Sequence, residues 1–153
     1  MNAFQLLKED HQKVSGIFQQ LEPTTERAEK TRTELFAKLQ EELDIHAKVE
    51  ESVFYPAIKQ AAETREIVLA GFEEHHVIKM LLKELEAVPV DTEQWTAKLK
   101  VLQENVEHHV EEEEGEMFQS ARQVLSEDEI NQLGARMEEM KKQLKEQSKS
   151  AGA

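Results

Sequence analysis

The 153-residue sequence contains no cysteine. That absence excludes disulfides, cysteine-ligated zinc sites, iron–sulfur clusters and thiol catalysis together. Aromatic residues make up only 5%, with five glycines and three prolines, a composition that favours an all-helical chain over a β-sandwich. No apolar run approaches the roughly 20 residues needed to span a bilayer. The N-terminus has no basic segment leading into an apolar stretch, so no signal peptide is read and a soluble, cytoplasmic protein is expected. Basic residues are outnumbered, with 19 Lys and Arg against 32 Asp and Glu and a formal charge of −13. That balance predicts no nucleic-acid partner and no anionic membrane partner, since both need a basic surface. The acidity is no metal signal in itself, because solvated helix faces account for most such carboxylates.

What is present is helical periodicity in a chain long enough for one core. A first helix is expected from about Ala3 to Leu21, with Phe4, Leu7, Val14, Phe18 and Leu21 on one face. Thr31 with Glu34 reads as a capping box for a second helix to about Gln60, kinked at Pro56. A third runs from about Arg65 to Ala87 and stops before Pro89; a fourth, capped by Asp91 with Gln94, reaches about Leu125. These pack as an up-down-up-down antiparallel four-helix bundle, residues 1–125. Ser126 with Glu129 opens an additional C-terminal amphipathic helix, 126–147, striped by Ile130, Leu133, Met137, Met140 and Leu144. It either packs over one end or mediates dimerisation, so monomer and homodimer are both open. Residues 148–153 read as a disordered tail.

All six histidines fall in four places, one per bundle helix: His11, His46, the pair His75/His76 and the pair His108/His109. The first stripe reads Leu7, His11, Val14; the second Leu43, His46, Glu50, Val53; the third Phe72, His75, Ile78; the fourth Val106, His109, Glu113, Met117. Steps of three or four keep these side chains on one face, so polar groups replace apolar ones in the middle of all four core stripes. An internal repeat refines the choice. HAKVEESVFYP at 46–56 aligns with HVEEEEGEMFQ at 109–119 at an offset of 63, and KEDHQKV at 8–14 with FEEHHVI at 72–78 at an offset of 64. The repeat favours His75 over His76 and His109 over His108, with His76 and His108 left open as the alternative ligands. Distances in sequence from the helix ends agree to about one turn, so the four imidazoles can share a layer.

A single His-x-x-x-Glu in so acidic a chain is ordinarily a solvated pair. Two copies in register with two further core histidines are different. A buried carboxylate without a partner costs several kcal/mol, against a domain stability of roughly 5–15 kcal/mol. Two cations compensate six such ligands. The arrangement expected has His11 with His46 on one and His75 with His109 on the other, Glu50 and Glu113 bridging, and water, hydroxide or oxygen at open positions. Mixed imidazole and carboxylate ligation suits iron or manganese; zinc is an alternative, although a structural zinc prefers a closed tetrahedron. His76 and His108 read as surface or supporting residues, and of Glu111 to Glu114 only Glu113 falls on the stripe. Tyr55 lies about 180° around a regular helix from His46, so no catalytic role is expected. Gly115 reads as costly in a helix unless it permits close packing.

The ordered set Asp10-His11, His46-x-x-x-Glu50-Glu51 ending in Phe54-Tyr55-Pro56, Glu74-His75, and His109-x-x-x-Glu113-Glu114 resembles the hemerythrin HHE cation-binding family over residues 3 to 125. The resemblance implies His11, His46, Glu50, His75, His109 and Glu113 as ligands of two non-haem iron ions. Oxygen-carrying hemerythrins use a further histidine four residues after the third-helix ligand, and that position is Lys79 here. The resemblance therefore implies binding, sensing or turnover of dioxygen, peroxide or nitric oxide rather than oxygen storage. Competing expectations are an iron or cation store and a metal-free helical interaction module.

Overall fold

The computed structural model describes residues 1–151. Its helices are α1 (Ala3–Leu21), α2 (Glu29–Val49), α3 (Tyr55–Ile58), α4 (Ala62–Glu86), α5 (Glu93–Glu112), α6 (Phe118–Val124) and α7 (Glu127–Ala151). Two π-turns, Glu50–Phe54 and Glu113–Met117, join α2 to α3 and α5 to α6, so the described chain forms five rods and no strand. Four of the rods make the antiparallel bundle.

Capping obeys local chemistry, with two corrections to the expected boundaries. Asn2 and Gln5 satisfy each other's backbone N–H groups at the start of α1. Ser126 and Glu129 do the same for α7. The second rod begins at Glu29, ahead of the Thr31 box, and Ala28 supplies no side-chain cap. There Arg32, buried, ties down the α1–α2 loop instead. It donates to the Thr24 hydroxyl and carbonyl and, at 2.8 Å, to the Val90 carbonyl, and lies 4.8 Å over the Trp95 ring. The cap of α5 is Thr92, which accepts from the Trp95 N–H, rather than Asp91.

The π-turns change the phase of the helices beyond them. The Tyr55 N–H donates to the Glu50 carbonyl and the Phe118 N–H to the Glu113 carbonyl, each five residues back. One additional residue in a turn sets the helix back by about 100°. Ala57, which continues the second stripe four residues beyond Val53 on a regular helix, is therefore exposed, and Tyr55 and Ile58 are buried. The irregularity expected at Pro56 lies one turn earlier. Proline is not required for it, since the second π-turn forms with Gln119 at the matching position.

Two apolar clusters sandwich a polar layer. One gathers Phe4, Val53, Phe54, Tyr55 and Phe118, and the other Phe18, Leu39, Leu82, Trp95 and Leu102. The last helix belongs to the first cluster: Ile130, Leu133 and Met137 are buried there, with Met140 and Leu144 against its edge. It packs along α1 and α2. Gly134 permits this approach, because a Cβ at that position would run into the backbone of Met1 and Asn2. Helix continues through residues 148–151, where a disordered tail is expected from sequence; 152 and 153 lie outside the described residues. Among the described residues no helix is long and apolar enough to cross a membrane.

Candidate metal centre

All six side chains singled out by the repeat are buried and meet in the polar layer. His11, His46, His75 and His109 are 4–7% exposed, and Glu50 and Glu113 are at most 1% exposed. His11 and His46 have ring centroids 5.0 Å apart, and His75 and His109 4.8 Å apart. Glu50 Oε1 lies 2.9 Å from His46 Nε2 and 3.0 Å from His75 Nε2. Glu113 lies 3.0 Å from His11 Nε2 and 3.3 Å from His109 Nε2. Each glutamate therefore touches one histidine of each pair. Ligand atoms converge in two groups, His11 with His46 and Glu113, and His75 with His109 and Glu50. His76 and His108 face outward, and Glu113 alone of 111–114 is buried.

The outer nitrogens carry the chemical argument. His11 Nδ1 is 2.6 Å from Glu114, His46 Nδ1 3.1 Å from Asp10, His75 Nδ1 2.8 Å from Glu51, and His109 Nδ1 2.5 Å from Glu74. A carboxylate accepts only, so each Nδ1 carries a proton and donates. In a neutral imidazole the remaining Nε2 is then a bare lone pair. His11, His46 and His109 Nε2, Glu50 Oε2 and Glu113 Oε1 all lack a hydrogen-bond partner although buried. Some are within 3.0 Å of an opposing atom, yet not aligned as donor and acceptor. Lone pairs facing lone pairs at that distance repel, and a cation between them turns the repulsion into coordination. The donor set therefore fits a metal ion, and His/carboxylate pairs of this kind orient metal-binding imidazoles.

Without a cation, protons play the same part. Burial pushes the His46 pKa down, but the Glu50 charge, the bond to Asp10, the close approach of the Glu50 carboxylate and the Glu113 charge override it and raise it to about 10. His75 and His109 are raised for the same reasons, also against burial. Glu50 is held well below the usual carboxylate range; burial opposes this, and the His46 charge with the polar groups of Glu113, His109 and His46 around it prevails.

Sequence reasoning assigned no role at this centre to five residues that line it. Asp10, Glu51, Glu74 and Glu114 each adjoin one of the six in sequence but serve a histidine on a different rod. The repeat carried that signal, since Asp10 aligns with Glu74 and Glu51 with Glu114. The fifth is Tyr55. The π-turn swings it inward, correcting the expectation that it points away. Its hydroxyl donates to Glu113 Oε2 at 3.1 Å and lies 3.4 Å from His75 Nε2. Burial, reinforced by the Glu50 and Glu113 charges, raises its pKa well above the ordinary value, so it stays a donor. Gly71 makes room for it: a Cβ there would stand 2.8 Å from the Tyr55 hydroxyl. Gly115, by contrast, has open space around it and no packing role.

A cavity of about 430 Å³ adjoins the imidazoles between α2 and α4. Val14, Leu43 and Ile78 form apolar wall, while Asp44, Lys48 and Lys79 line its polar side.

The family description hemerythrin HHE cation binding domain matches residues 2–121. A solved structure of a hemerythrin HHE cation binding domain-containing protein from Mycobacterium kansasii, the Rv2633c homolog, superposes with a TM-score of 0.83 at 26% identity, covering 94% of this chain and 87% of that one. The uncharacterized protein Rv2633c of Mycobacterium tuberculosis is 28% identical over 90% of this chain and 83% of its own length. A DNA nickase of Nostoc is 26% identical over 95% of this chain, which spans only 41% of that protein.

Proposed function

Because the chain belongs to the hemerythrin HHE cation-binding family, we propose that it holds two iron ions and acts on, or senses, dioxygen, peroxide or nitric oxide. His11 and His46 would hold one ion, His75 and His109 the other, with Glu50 and Glu113 shared between them. The observation that carries this reading is the set of inward imidazole nitrogens and carboxylate oxygens left without hydrogen-bond partners in a buried layer. Imidazole and carboxylate in this ratio suit iron, with manganese next. Bound iron would supply one-electron redox chemistry toward small oxygen-derived ligands.

The chain's own residues set the conditions for that chemistry. Asp10, Glu51, Glu74 and Glu114 fix the tautomer of the four imidazoles. Tyr55 holds a proton beside Glu113 and His75, where it can be donated to a ligand bound at that edge. The cavity between α2 and α4 reaches His11, His46, His75 and His109 and gives a ligand a path to them, and Lys79 lines it where an oxygen carrier would add an imidazole. With a lysine and no imidazole at that position, turnover or sensing is favoured over storage. Nicking of DNA is not carried over from the Nostoc relative, because a charge of −13 repels phosphate.

Elemental analysis of the natively purified protein should return about two equivalents of iron. Less than about half an equivalent of any transition metal would refute the proposal in favour of a metal-free module. Ferrous titration in air then distinguishes the activities. Oxidation within seconds with charge-transfer absorption is expected, a long-lived oxygenated species would instead indicate carriage, and continued uptake far beyond two equivalents would indicate a store.

A further inference from the structure

We propose that Lys141 of α7 makes the two ion positions unequal, drawing charge from Asp10 and weakening His46 as a donor. The inference rests on the two-ion reading above. The internal repeat relates the two halves of the centre almost completely: His11 to His75, His46 to His109, Glu50 to Glu113, Asp10 to Glu74 and Glu51 to Glu114. The outer bonds obey the same relation. Asp10 serves His46 as Glu74 serves His109, and Glu114 serves His11 as Glu51 serves His75.

Lys141 breaks the relation. Its ammonium donates to Asp10 Oδ1, while Asp10 Oδ2 accepts from His46 Nδ1 at 3.1 Å. Asp10 is 2% exposed and the Lys141 side chain 14% exposed. Among the described residues no lysine pairs with the matching carboxylate, Glu74; it faces His108 and Glu112 instead. Nor is the lysine loosely placed. Met137, one turn earlier on α7, is wholly buried, and Lys145, one turn later, lies 3.3 Å from Glu42 of α2. The last helix has no counterpart in the repeat, so it supplies what the repeat cannot.

A carboxylate accepting from Nδ1 makes the imidazole a stronger donor at Nε2, and changes to such partners alter metal affinity by roughly 10- to 100-fold. An ammonium on the other oxygen of Asp10 withdraws part of that charge, and it adds positive charge near one ion only. The position at His11 and His46 is therefore the weaker and the first to be vacated, while the position at His75 and His109 keeps its ion.

The test uses the full chain and cobalt(II) as probe, with stepwise affinities read from visible absorption against a competing chelator. Wild type should take two equivalents in two steps at least about tenfold apart. Lys141→Met should tighten the weaker step by about tenfold and leave the stronger one in place. Lys141→Gln, which keeps a donor without charge, should act likewise and serves if the Met variant misfolds; Lys141→Arg should behave as wild type. With Asp10→Asn already present, Lys141→Met should no longer change the gap. Two equal steps in wild type, or an unchanged gap in both neutral variants with helix content intact, would overturn the inference while leaving the two-ion reading standing. Uptake of one equivalent or none by wild type would overturn both.

Discussion

Glu50→Ala probes the centre most directly. Glu50 is fully buried and its Oε1 lies 2.9 Å from His46 Nε2 and 3.0 Å from His75 Nε2, one histidine from each pair. On the two-ion reading a carboxylate so placed would be shared by both ions, so its removal should weaken both. Truncating one partner of a buried charged pair costs about 3–5 kcal/mol. At 1.4 kcal/mol per tenfold, that is a loss of affinity of roughly a hundred- to a few thousand-fold at each position. An ion held with a dissociation constant near ~0.1 μM would then be lost on gel filtration. His46→Ala touches one pair only and should retain about one equivalent, on His75 and His109. The assay is metal content per chain after desalting, with circular dichroism on the same samples to show that the bundle remains folded. Glu50→Ala retaining two equivalents would refute the shared role, and retaining one would show that Glu50 serves a single ion.

The pKa shifts predict how the stability of the metal-free protein depends on pH. A histidine whose folded pKa is raised stabilises the fold fully below its unfolded value of about 6.5, and this is lost as pH rises through the folded value, about 10 for His46. With chelator present the melting temperature should fall between pH 6.5 and 10; a flat or rising profile there would contradict the imidazolium assignment. In the same metal-free state Tyr55→Phe should cost about 1.5–3 kcal/mol in urea denaturation, because Glu113 loses a buried donor, and an unchanged midpoint would show that bond to be idle. Glycine substitutions should separate by position. Gly115→Ala, in open space, should gain up to about 1 kcal/mol, whereas Gly71→Ala and Gly134→Ala should lose stability through contact with Tyr55 and with the Met1–Asn2 backbone. A gain at Gly71 or Gly134 would remove the packing roles assigned to them.

How far the centre is legible in the sequence depends on the range over which each relation acts. His46 and Glu50, or His109 and Glu113, share a face because a helix turns by a constant angle per residue, so spacing alone groups them. The repeat then pairs the halves, and the apolar stripes on either side of these residues point them inward. The bundle, the buried layer and the inward turn of His75 and His109 rather than their neighbours are therefore legible in the residue order alone.

Relations between rods are not. That Asp10 serves His46 and Glu114 serves His11 depends on helix rotation and lateral spacing, which one rod's periodicity does not encode. Tyr55 is misplaced by any angle that assumes a uniform helix, because a π-turn at Glu50 shifts everything downstream by about one residue's rotation. Lys141 is 131 residues from Asp10, and nothing in α7 marks it among its neighbouring lysines. Local periodicity determined which residues enter the core as far as the π-turns, and at what depth. Tertiary packing alone decided which carboxylate meets which imidazole, and on which side of the centre a lone ammonium comes to rest.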